Sequence, residues 1–482
     1  MNTRLLKSLA ALLAAGALGG CAVGPDYLRP ANLLPALFGP APAEAEVTTA
    51  TVDARWWQFF NDTTLNELIE QALQKNADLR LAVARVAQAD AAAREAGAEL
   101  YPGINLQAGS SSNKVSSKSA TYSPAMPQIR QSRSAGLAVS YELDVWGRVR
   151  RSDEAAQAQL LGSRYGRDAV RLSVAGLVAN AYLTLRATDA QLAVSQETLA
   201  TRQQALELVK KRVDAGLGSP VDLHQASGAL AAAETQVIEL RRQRALGEHQ
   251  LALLSGNPAL RIAPPASADP QLLPLPPLPP AGLPAQLVER RPDVREAEQK
   301  LIAANAGIGL AKAGYYPKFT LTGSYGSESK ALGDLFAAGA GTWGLGLNLL
   351  LPLLDYGRTE ARVDQAKAVN EQSLIAWENT LQGAYKDVRD ALVNSREQAA
   401  AEQAQQVRVD QARETLRLVD LRYRAGHAGY LEVLDAQRTL NDAQLQQITT
   451  RQARLAAAVG LFKALGGGWQ AEPAERSAPT AN

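Results

Sequence analysis

Two periods of hydrophobic residues alternate along the chain, and each predicts a different secondary structure. From residue 53 to about residue 100, apolar side chains recur every three or four positions, which predicts amphipathic helices with a break near Asn76. From about 103 to 145, apolar residues alternate with small or polar ones, which predicts two strands joined by a Ser-rich loop at about 110–133. The helical period resumes at about residue 153 and leads to a glycine-containing turn at about 213–221.

The helical stretch before this turn is unusually long. Roughly 60 residues at 1.5 Å per residue would span about 90 Å. The stretch contains no proline and has apolar residues spaced by seven, which is typical of a coiled-coil hairpin. We expect its apolar seam to include Leu192, Leu199, Leu206 and Val213.

The second half of the chain repeats this order of elements. Residues 78–102 match residues 293–317, and the turn segment Arg212–Ala226 aligns with Arg422–Gln437. Such an internal duplication indicates two interleaved copies of one elongated unit. We therefore divide the chain into repeat 1 (53–256), a Pro-rich linker (257–284), repeat 2 (285–466, with strands at about 318–350 and its tip at about 423–431) and a disordered tail (467–482).

The N-terminus has the features of an exported lipoprotein. Positive residues precede a short apolar run, and Leu18-Gly19-Gly20 leads to Cys21, so residues 1–20 are predicted to be a signal peptide. Leu-Gly-Gly-Cys resembles a bacterial lipobox, which implies that Cys21 becomes the lipidated N-terminus. The alternative is a plain secretory signal followed by an incidental cysteine. Residues 21–52 have no helical or strand period and are expected to form an extended arm.

The predicted strands are long enough to cross a membrane. Each has about ten residues, the length that a tilted strand needs to span a bilayer. Four strands leave open edges, which lipid does not tolerate, so closure requires further copies of the chain: two would give eight strands and three would give twelve. The alternative is a pair of water-facing hairpins.

Composition excludes several other classes of function. A net charge of +2 does not indicate the basic surface that nucleic-acid binding requires. Three histidines and one cysteine do not provide the ligands of a usual zinc or iron-sulfur site. Residues 339–344 satisfy the pattern GxGxxG but lead into a predicted strand, so they do not indicate dinucleotide binding. We expect neither a cofactor nor enzymatic activity.

Several motifs together resemble the outer-membrane factor family of tripartite efflux systems, the TolC/OprM-like proteins, in its NodT-type lipoprotein branch. They are CAVGPDYLRP after the lipobox, the WWQFFND segment, the duplicated junctions from helix through Tyr-Pro to strand, and the segment RYRAGHAGYLEVLDAQ. The resemblance implies a homotrimer with a twelve-stranded β-barrel in the outer membrane, four strands from each chain, continuous with a long periplasmic α-helical barrel. It also implies a passive exit duct that works with a periplasmic adaptor and a proton-coupled inner-membrane pump of the RND type.

The same resemblance assigns roles at the helical tips. In the family, acidic residues just after the second tip turn narrow the periplasmic entrance, and these positions match Glu432 and Asp435. Arg422 and Arg438 are close enough in the predicted hairpin to pair with them; the alternative is a solvated helix face with ordinary pairs. The turn glycines are expected to allow tight connections and, by resemblance, to contact the adaptor: Gly216, Gly218, Gly426 and Gly429. His224 and His427 lie at the two tips as well, where a role in pH sensing is the alternative to an ordinary surface position.

Three alternative functions stay open at this stage. A duct for metal ions has the same architecture, although the mature chain has only Met126 and so lacks a methionine-lined copper route. A duct for protein secretion would differ only in the transporter that accompanies it. A structural lipoprotein with coiled-coil arms would form no pore.

Overall fold

The computed structural model describes residues 22–31, 34–35, 38, 55–120, 122–265, 273–277 and 285–467. The predicted signal peptide, Cys21, most of the predicted arm, part of the Pro-rich linker and the tail after residue 467 lie outside the described residues.

The elements follow the duplicated order that the sequence indicates. A short 3-10 helix, Trp56–Phe60, precedes the first repeat. The first repeat consists of α1 (Thr63–Lys75), α2 (Ala77–Ala98), β1 (Gly103–Lys114), β2 (Ile129–Leu143), α3 (Arg148–Asp214) and α4 (Pro220–Leu254). The second consists of α5 (Pro292–Lys312), β3 (Lys318–Ser329), β4 (Gly341–Leu350), α6 (Arg358–Arg424) and α7 (Tyr430–Ala464).

The long helices have equal lengths in the two repeats. Helices α3 and α6 each have 67 residues, and α4 and α7 each have 35. A 67-residue helix is about 100 Å long at 1.5 Å per residue. None of the helices in the described part of the chain combines the length and the apolar character that crossing a membrane requires.

The four strands form one antiparallel sheet in the order β1-β2-β3-β4. Its register places apolar side chains in rows on one face, with Leu106, Leu137, Tyr325 and Trp343 in one row and Tyr141, Leu321 and Leu347 in another. The opposite face carries small and polar residues in the rows between them, including Asn105, Ala138, Ser324 and Gly344. The predicted alternation is therefore present across all four strands.

The strands are longer than the sequence indicates, and the predicted loop bounds were wrong. Pairing continues to Lys114 opposite Ile129, within the stretch that was expected to be loop. Strand β3 is also long and runs from Lys318 to Ser329. The extra pairs, such as Ser111 with Ser132, carry polar residues on both faces, so the ladder of backbone hydrogen bonds continues without an alternating pattern to reveal it.

The chain divides into two compact units, each built from segments distant in sequence. The first comprises residues 22–31 with Val86–Ser163 and Glu296–Trp377. Within it the N-terminal segment is fixed by specific contacts: the backbone N–H of Val23 donates to the oxygen of Trp146 at 2.9 Å, and Arg151 pairs with Asp26 at 2.7 Å. Gly24, with φ +111°, lies against Gly309 so closely that a Cβ on it would be 2.5 Å from the Gly309 Cα.

The second unit holds the helical tips and an aromatic core. Trp56 and Phe462 stack with their ring centroids 5.6 Å apart, and both are buried. The buried hydroxyl of Tyr182 donates to Asp62 Oδ2 at 2.8 Å and accepts from Nε of Arg186 at 2.9 Å. Since Asp62 Oδ1 accepts from the backbone N–H of Leu65, Tyr182 supports the N-terminal cap of α1.

The most buried line of α3 differs from the predicted leucine seam. Leu192, Leu199 and Leu206 are only partly buried, whereas Ser195, Arg202 and Val209, which are also spaced by seven, are buried. Side-chain hydrogen bonds join helix α3 to α4 on one side, from Arg244 to Asp189, and to α7 on the other, from Arg202 to Gln437. The line facing both neighbours becomes the most buried one, although two of its three residues are polar.

Candidate functional site

The two helical tips end their first helix in the same way. After α3, Gly216 has φ +72°, and the N–H groups of Gly216 and Leu217 donate to the oxygens of Val213 and Arg212 at 2.9 and 2.8 Å. After α6, Gly426 has φ +77°, and the equivalent bonds join Gly426 to Tyr423 and His427 to Arg422. This is the Schellman arrangement, in which a left-handed residue satisfies the last carbonyls of a helix. Glycine adopts that conformation without steric cost, which explains Gly216 and Gly426.

The second helix of each hairpin begins differently in the two repeats. In the first, the hydroxyl of Ser219 accepts from the N–H of Val221 at 3.2 Å. In the second, Gly429 occupies the equivalent position and has no side chain, so Oε1 of Glu432 accepts from the Gly429 N–H at 3.3 Å instead. Glu432 therefore serves the start of α7 as well as carrying a negative charge at the tip. Gly218, the remaining predicted glycine, has φ outside the left-handed region but leaves room for Val213, whose Cγ2 would lie 3.0 Å from an added Cβ.

Both predicted tip carboxylates have an arginine partner. Arg422 lies 3.7 Å from Glu432 and also donates to the oxygen of His427 at 3.2 Å, while Arg438 lies 2.8 Å from Asp435. The four side chains are 49 to 72% exposed. Exposed pairs of this kind contribute about 0.2 to 1 kcal/mol each, so they are easily exchanged for other partners.

The two tips pack against each other. Val209, Ala226 and Tyr430 form a buried cluster with Leu206, Val213, Leu223 and Tyr423 around it. Arg212 of the first tip donates to the hydroxyl of Tyr423 in the second at 2.8 Å, and its guanidinium carbon lies 5.2 Å from that ring's centroid. Burial raises the pKa of Tyr430. The first tip thus supplies a fixed support for the hairpin that carries Glu432 and Asp435.

Arg212, Tyr423 and Tyr430 were not predicted as site residues. The signal was the difference between the repeats, because the first has Val213 and Pro220 where the second has Tyr423 and Tyr430. Two aromatic residues added at one tip alone indicate a contact that the duplication itself does not require. His224 and His427 are both exposed.

No cluster of three or more His, Cys, Asp or Glu side chains within the described ranges is arranged to hold a metal ion. The predicted lipidation site, Cys21, lies outside those ranges.

Comparison with known proteins gives consistent similarities over nearly the whole chain. The model of the family described as outer membrane efflux protein matches residues 68–257 and 283–467, so each match covers most of one repeat. The toluene efflux pump outer membrane protein TtgC of Pseudomonas putida is 36% identical over 97% of this chain and 96% of its own length. The cation efflux system protein CusC of Escherichia coli O6:H1 is 34% identical over 94% of this chain and 97% of its own. Among solved structures, the outer-membrane channel OprN superposes with a TM-score of 0.83 at 27% identity, covering 93% of this chain and 100% of that one.

Proposed function

Because the chain belongs to the outer membrane efflux protein family, we propose that three copies form the passive exit duct of a tripartite efflux system. Efflux across the outer membrane is the function of the family. The finer assignments concern the assembly, its gate, its partners and its cargo.

The observation that supports assembly is the open sheet. Strands β1 and β4 lie at the two edges of the four-stranded sheet, and within the described residues neither has a second partner strand. Unpaired backbone groups at such edges are not tolerated in lipid, so the edges of several copies must pair with one another. Three copies would give a closed barrel of twelve strands, an even number within the range of known outer-membrane barrels.

The two faces of the sheet fit the two environments of such a barrel. Trp343, Leu345, Leu347 and Leu349 of β4 are 60 to 80% exposed in the single chain, and all four lie on the apolar face. That face would contact lipid, while the small and polar face would line a wet channel. The whole of β3, Lys318–Ser329, advances about 36 Å along the strand. With a tilt of about 40° this covers roughly 28 Å of height, enough for the apolar band of such barrels.

The gate would lie at the second tip. Three copies would bring six carboxylates, from Glu432 and Asp435, around one axis, and such a ring attracts cations and repels itself when it is fully ionised. The exposed pairs with Arg422 and Arg438 reduce this repulsion and hold the tip in its resting arrangement.

Opening would exchange these weak pairs for contacts with a periplasmic adaptor, received on the surface around Gly216, Gly218, Gly426 and Gly429. The adaptor would in turn engage an inner-membrane pump of the RND type, and Cys21 would hold the chain to outer-membrane lipid.

The cargo is proposed to be small organic molecules. Relatives are named for toluene efflux and for cation efflux at similar identity, 36% and 34%, so family membership alone does not select between these cargoes. A duct for metal ions is the second candidate, favoured by the likeness to CusC. Against it, Met126 is the only methionine after the predicted signal peptide, which leaves no relay of soft sulfur ligands for copper.

The test is reconstitution of the purified, lipidated chain in planar bilayers. We expect trimers in detergent and discrete single-channel conductance. A monodisperse monomer that remains soluble without detergent and does not conduct would contradict the proposal. Co-purification of an adaptor and pump from the native membrane, followed by transport of toluene against copper by the assembled system, would separate the two cargoes.

A further inference from the structure

A cavity of about 470 Å³ lies beside the helical tips, among helices α3, α4 and α7. Helices α4 and α7 approach each other at Ala226 and Tyr430, and the cavity begins next to that contact. Its lining is mixed: alanine and leucine side chains form the apolar part, and several polar groups face into it. Asp435 and Arg438 at its edge belong to the proposed gate, but none of the roles proposed above accounts for Ser195, Arg202 and Gln225.

The strongest feature of the cavity is an arginine without a carboxylate partner. Arg202 is only 6% exposed, and its Nη1 donates to the neutral amide oxygen of Gln437. Among the described residues no carboxylate lies within ion-pair distance of it. A guanidinium has five N–H donors, and a buried charge is normally paired, so Arg202 leaves donors and charge uncompensated. Burial lowers the pKa of Arg202, in keeping with the missing anion.

Two further polar atoms in the cavity lack a protein partner. Ser195 is 2% exposed, and its hydroxyl makes no hydrogen bond. The buried Oε1 of Gln225 is likewise without a partner. Such groups are almost always hydrogen-bonded in folded proteins, and water in an open cavity can supply the partners of these two atoms. The charge of Arg202 is what selects an anionic occupant. Ser195 and Arg202 are seven residues apart on one face of α3, a separation of about 10 Å.

We propose that this cavity binds an amphiphilic carboxylate. The carboxylate would lie against Arg202, whose planar guanidinium matches that group in geometry as well as in charge. The aliphatic chain would extend toward Ser195 along the apolar lining formed by Ala229, Ala232, Ala233, Leu434 and Leu445. An unbranched chain of about ten carbons fits the separation between Arg202 and Ser195.

Occupancy would also affect the second tip. Asp435 and Arg438 line the same cavity, so a bound carboxylate joins α3 and α4 to the part of α7 that carries the Asp435–Arg438 pair. A ligand stabilises the arrangement to which it binds, and here that is the paired, resting tip. This consequence for conductance rests on the proposed gate, whereas the binding site itself does not.

Binding can be measured by titration calorimetry on the trimer in a nonionic detergent, with decanoate as the probe. We expect one saturable site per chain. The neutral analogue decanol should bind at least tenfold more weakly. Arg202→Met, which keeps the length of the side chain and removes its charge, should weaken decanoate binding at least tenfold, while Arg202→Lys should retain it within a few-fold. Arg241→Met removes an exposed arginine of α4 and should leave the affinity unchanged.

Equal affinities for decanoate and decanol would overturn the proposal, because they would indicate partition of any aliphatic chain. Equal affinities of the wild type and Arg202→Met would overturn it as well. If the occupant is instead a side chain of a neighbouring copy, the trimer will not bind decanoate, and Arg202→Met will dissociate more readily in detergent; that result also overturns it. Should Arg202→Met fail to fold, Ser195→Ala gives a second test: it removes a hydroxyl that the aliphatic chain would cover, so decanoate should bind at least as tightly as to the wild type. Weaker binding would place a polar group of the occupant at Ser195 and overturn the proposed orientation.

The effect on the tip is measured separately by single-channel recording with and without decanoate. We expect decanoate to lower the conductance of the wild type and to have no effect on Arg202→Met. Saturable, Arg202-dependent binding without any change in conductance would support the site and overturn its link to the tip.

Discussion

At the scale of single residues, we propose that the tip carboxylates and their arginines determine how readily the gate opens. Two exposed pairs together contribute about 1 kcal/mol, which corresponds to roughly a fivefold change in the ratio of open to resting channels. We therefore expect the double variant Glu432→Ala, Asp435→Ala to raise single-channel conductance and to weaken block by multivalent cations. The measurement is conductance in planar bilayers with and without a trivalent cation.

A matched control is available in the first repeat. Asp222 is the equivalent of Glu432 in the duplication, and Asp222→Ala should change neither quantity. If the double variant conducts and is blocked like the wild type, the two carboxylates have no part in the gate.

Tyr182 is a second residue whose effect can be predicted, here through the pH dependence of stability. Burial raises its pKa from 10.0 to about 12, so the folded protein holds the phenolic proton more tightly than the unfolded chain does. The resulting stabilisation, about 2 to 3 kcal/mol, is complete below pH 10 and is lost as the pH rises through about 12. The wild type should therefore lose more thermal stability between pH 9 and pH 12 than Tyr182→Phe, as measured by circular dichroism.

The control for this comparison is an exposed tyrosine. Tyr101 is 73% exposed, and Tyr101→Phe should follow the pH dependence of the wild type. Parallel curves for the wild type and Tyr182→Phe would show that the phenol contributes nothing to the fall.

At the scale of elements, the turn glycines are required by backbone conformation. Gly426 adopts φ +77°, where a side chain costs about 1 to 2 kcal/mol, so Gly426→Ala should destabilise the second hairpin by about that amount. Gly228 lies within α4 and has no atom within 4 Å of an added Cβ. Gly228→Ala should instead stabilise the hairpin by up to about 1 kcal/mol, because alanine favours the helix. Melting of the helical signal would measure both; changes of the same sign would contradict the assignment.

The elements also show what the sequence could and could not predict. The glycines, the prolines and the change of period located every long helix and both strand pairs, since each of these signals acts locally. The ends of the strands were missed because Ser111 and Ser132 pair without an apolar face. The buried line of α3 was missed because it depends on where α4 and α7 lie, which is tertiary information.

The candidate site was predictable only in part, for the same reason. The acidic residues and the glycines at the tip follow from motif and duplication. The sequence did not predict the packing of the tips through Arg212, Tyr423 and Tyr430, or the burial of Arg202 without a carboxylate partner. Both depend on contacts between residues more than 200 positions apart.

At the scale of the whole molecule, we expect the same substitution to have opposite effects on the two faces of the sheet, even at adjacent residues. Leu347 lies on the apolar face and Asn348 on the polar one. A basic residue facing lipid near the middle of a bilayer costs about 2 to 4 kcal/mol, whereas one facing a water-filled lumen costs little. Leu347→Arg should reduce the yield of folded trimer in liposomes, and Asn348→Arg should assemble normally and shift the reversal potential toward anions.

These two variants serve as controls for each other, because they introduce the same side chain one position apart. Normal assembly of both, with no difference in ion selectivity, would mean that the sheet does not separate lipid from a lumen.

The equal lengths of the duplicated helices, 67 and 35 residues in each repeat, restrict how such a chain can change over evolution. Arg212 meets Tyr423 because the two hairpins reach their turns at the same level. A deletion of one heptad from α3 and α4 alone would shorten the first hairpin by about 10 Å and remove that contact. Insertions and deletions within these helices should therefore occur together in both repeats of related sequences. The loops at 115–128 and 330–340, which are outside this constraint, should accumulate insertions independently.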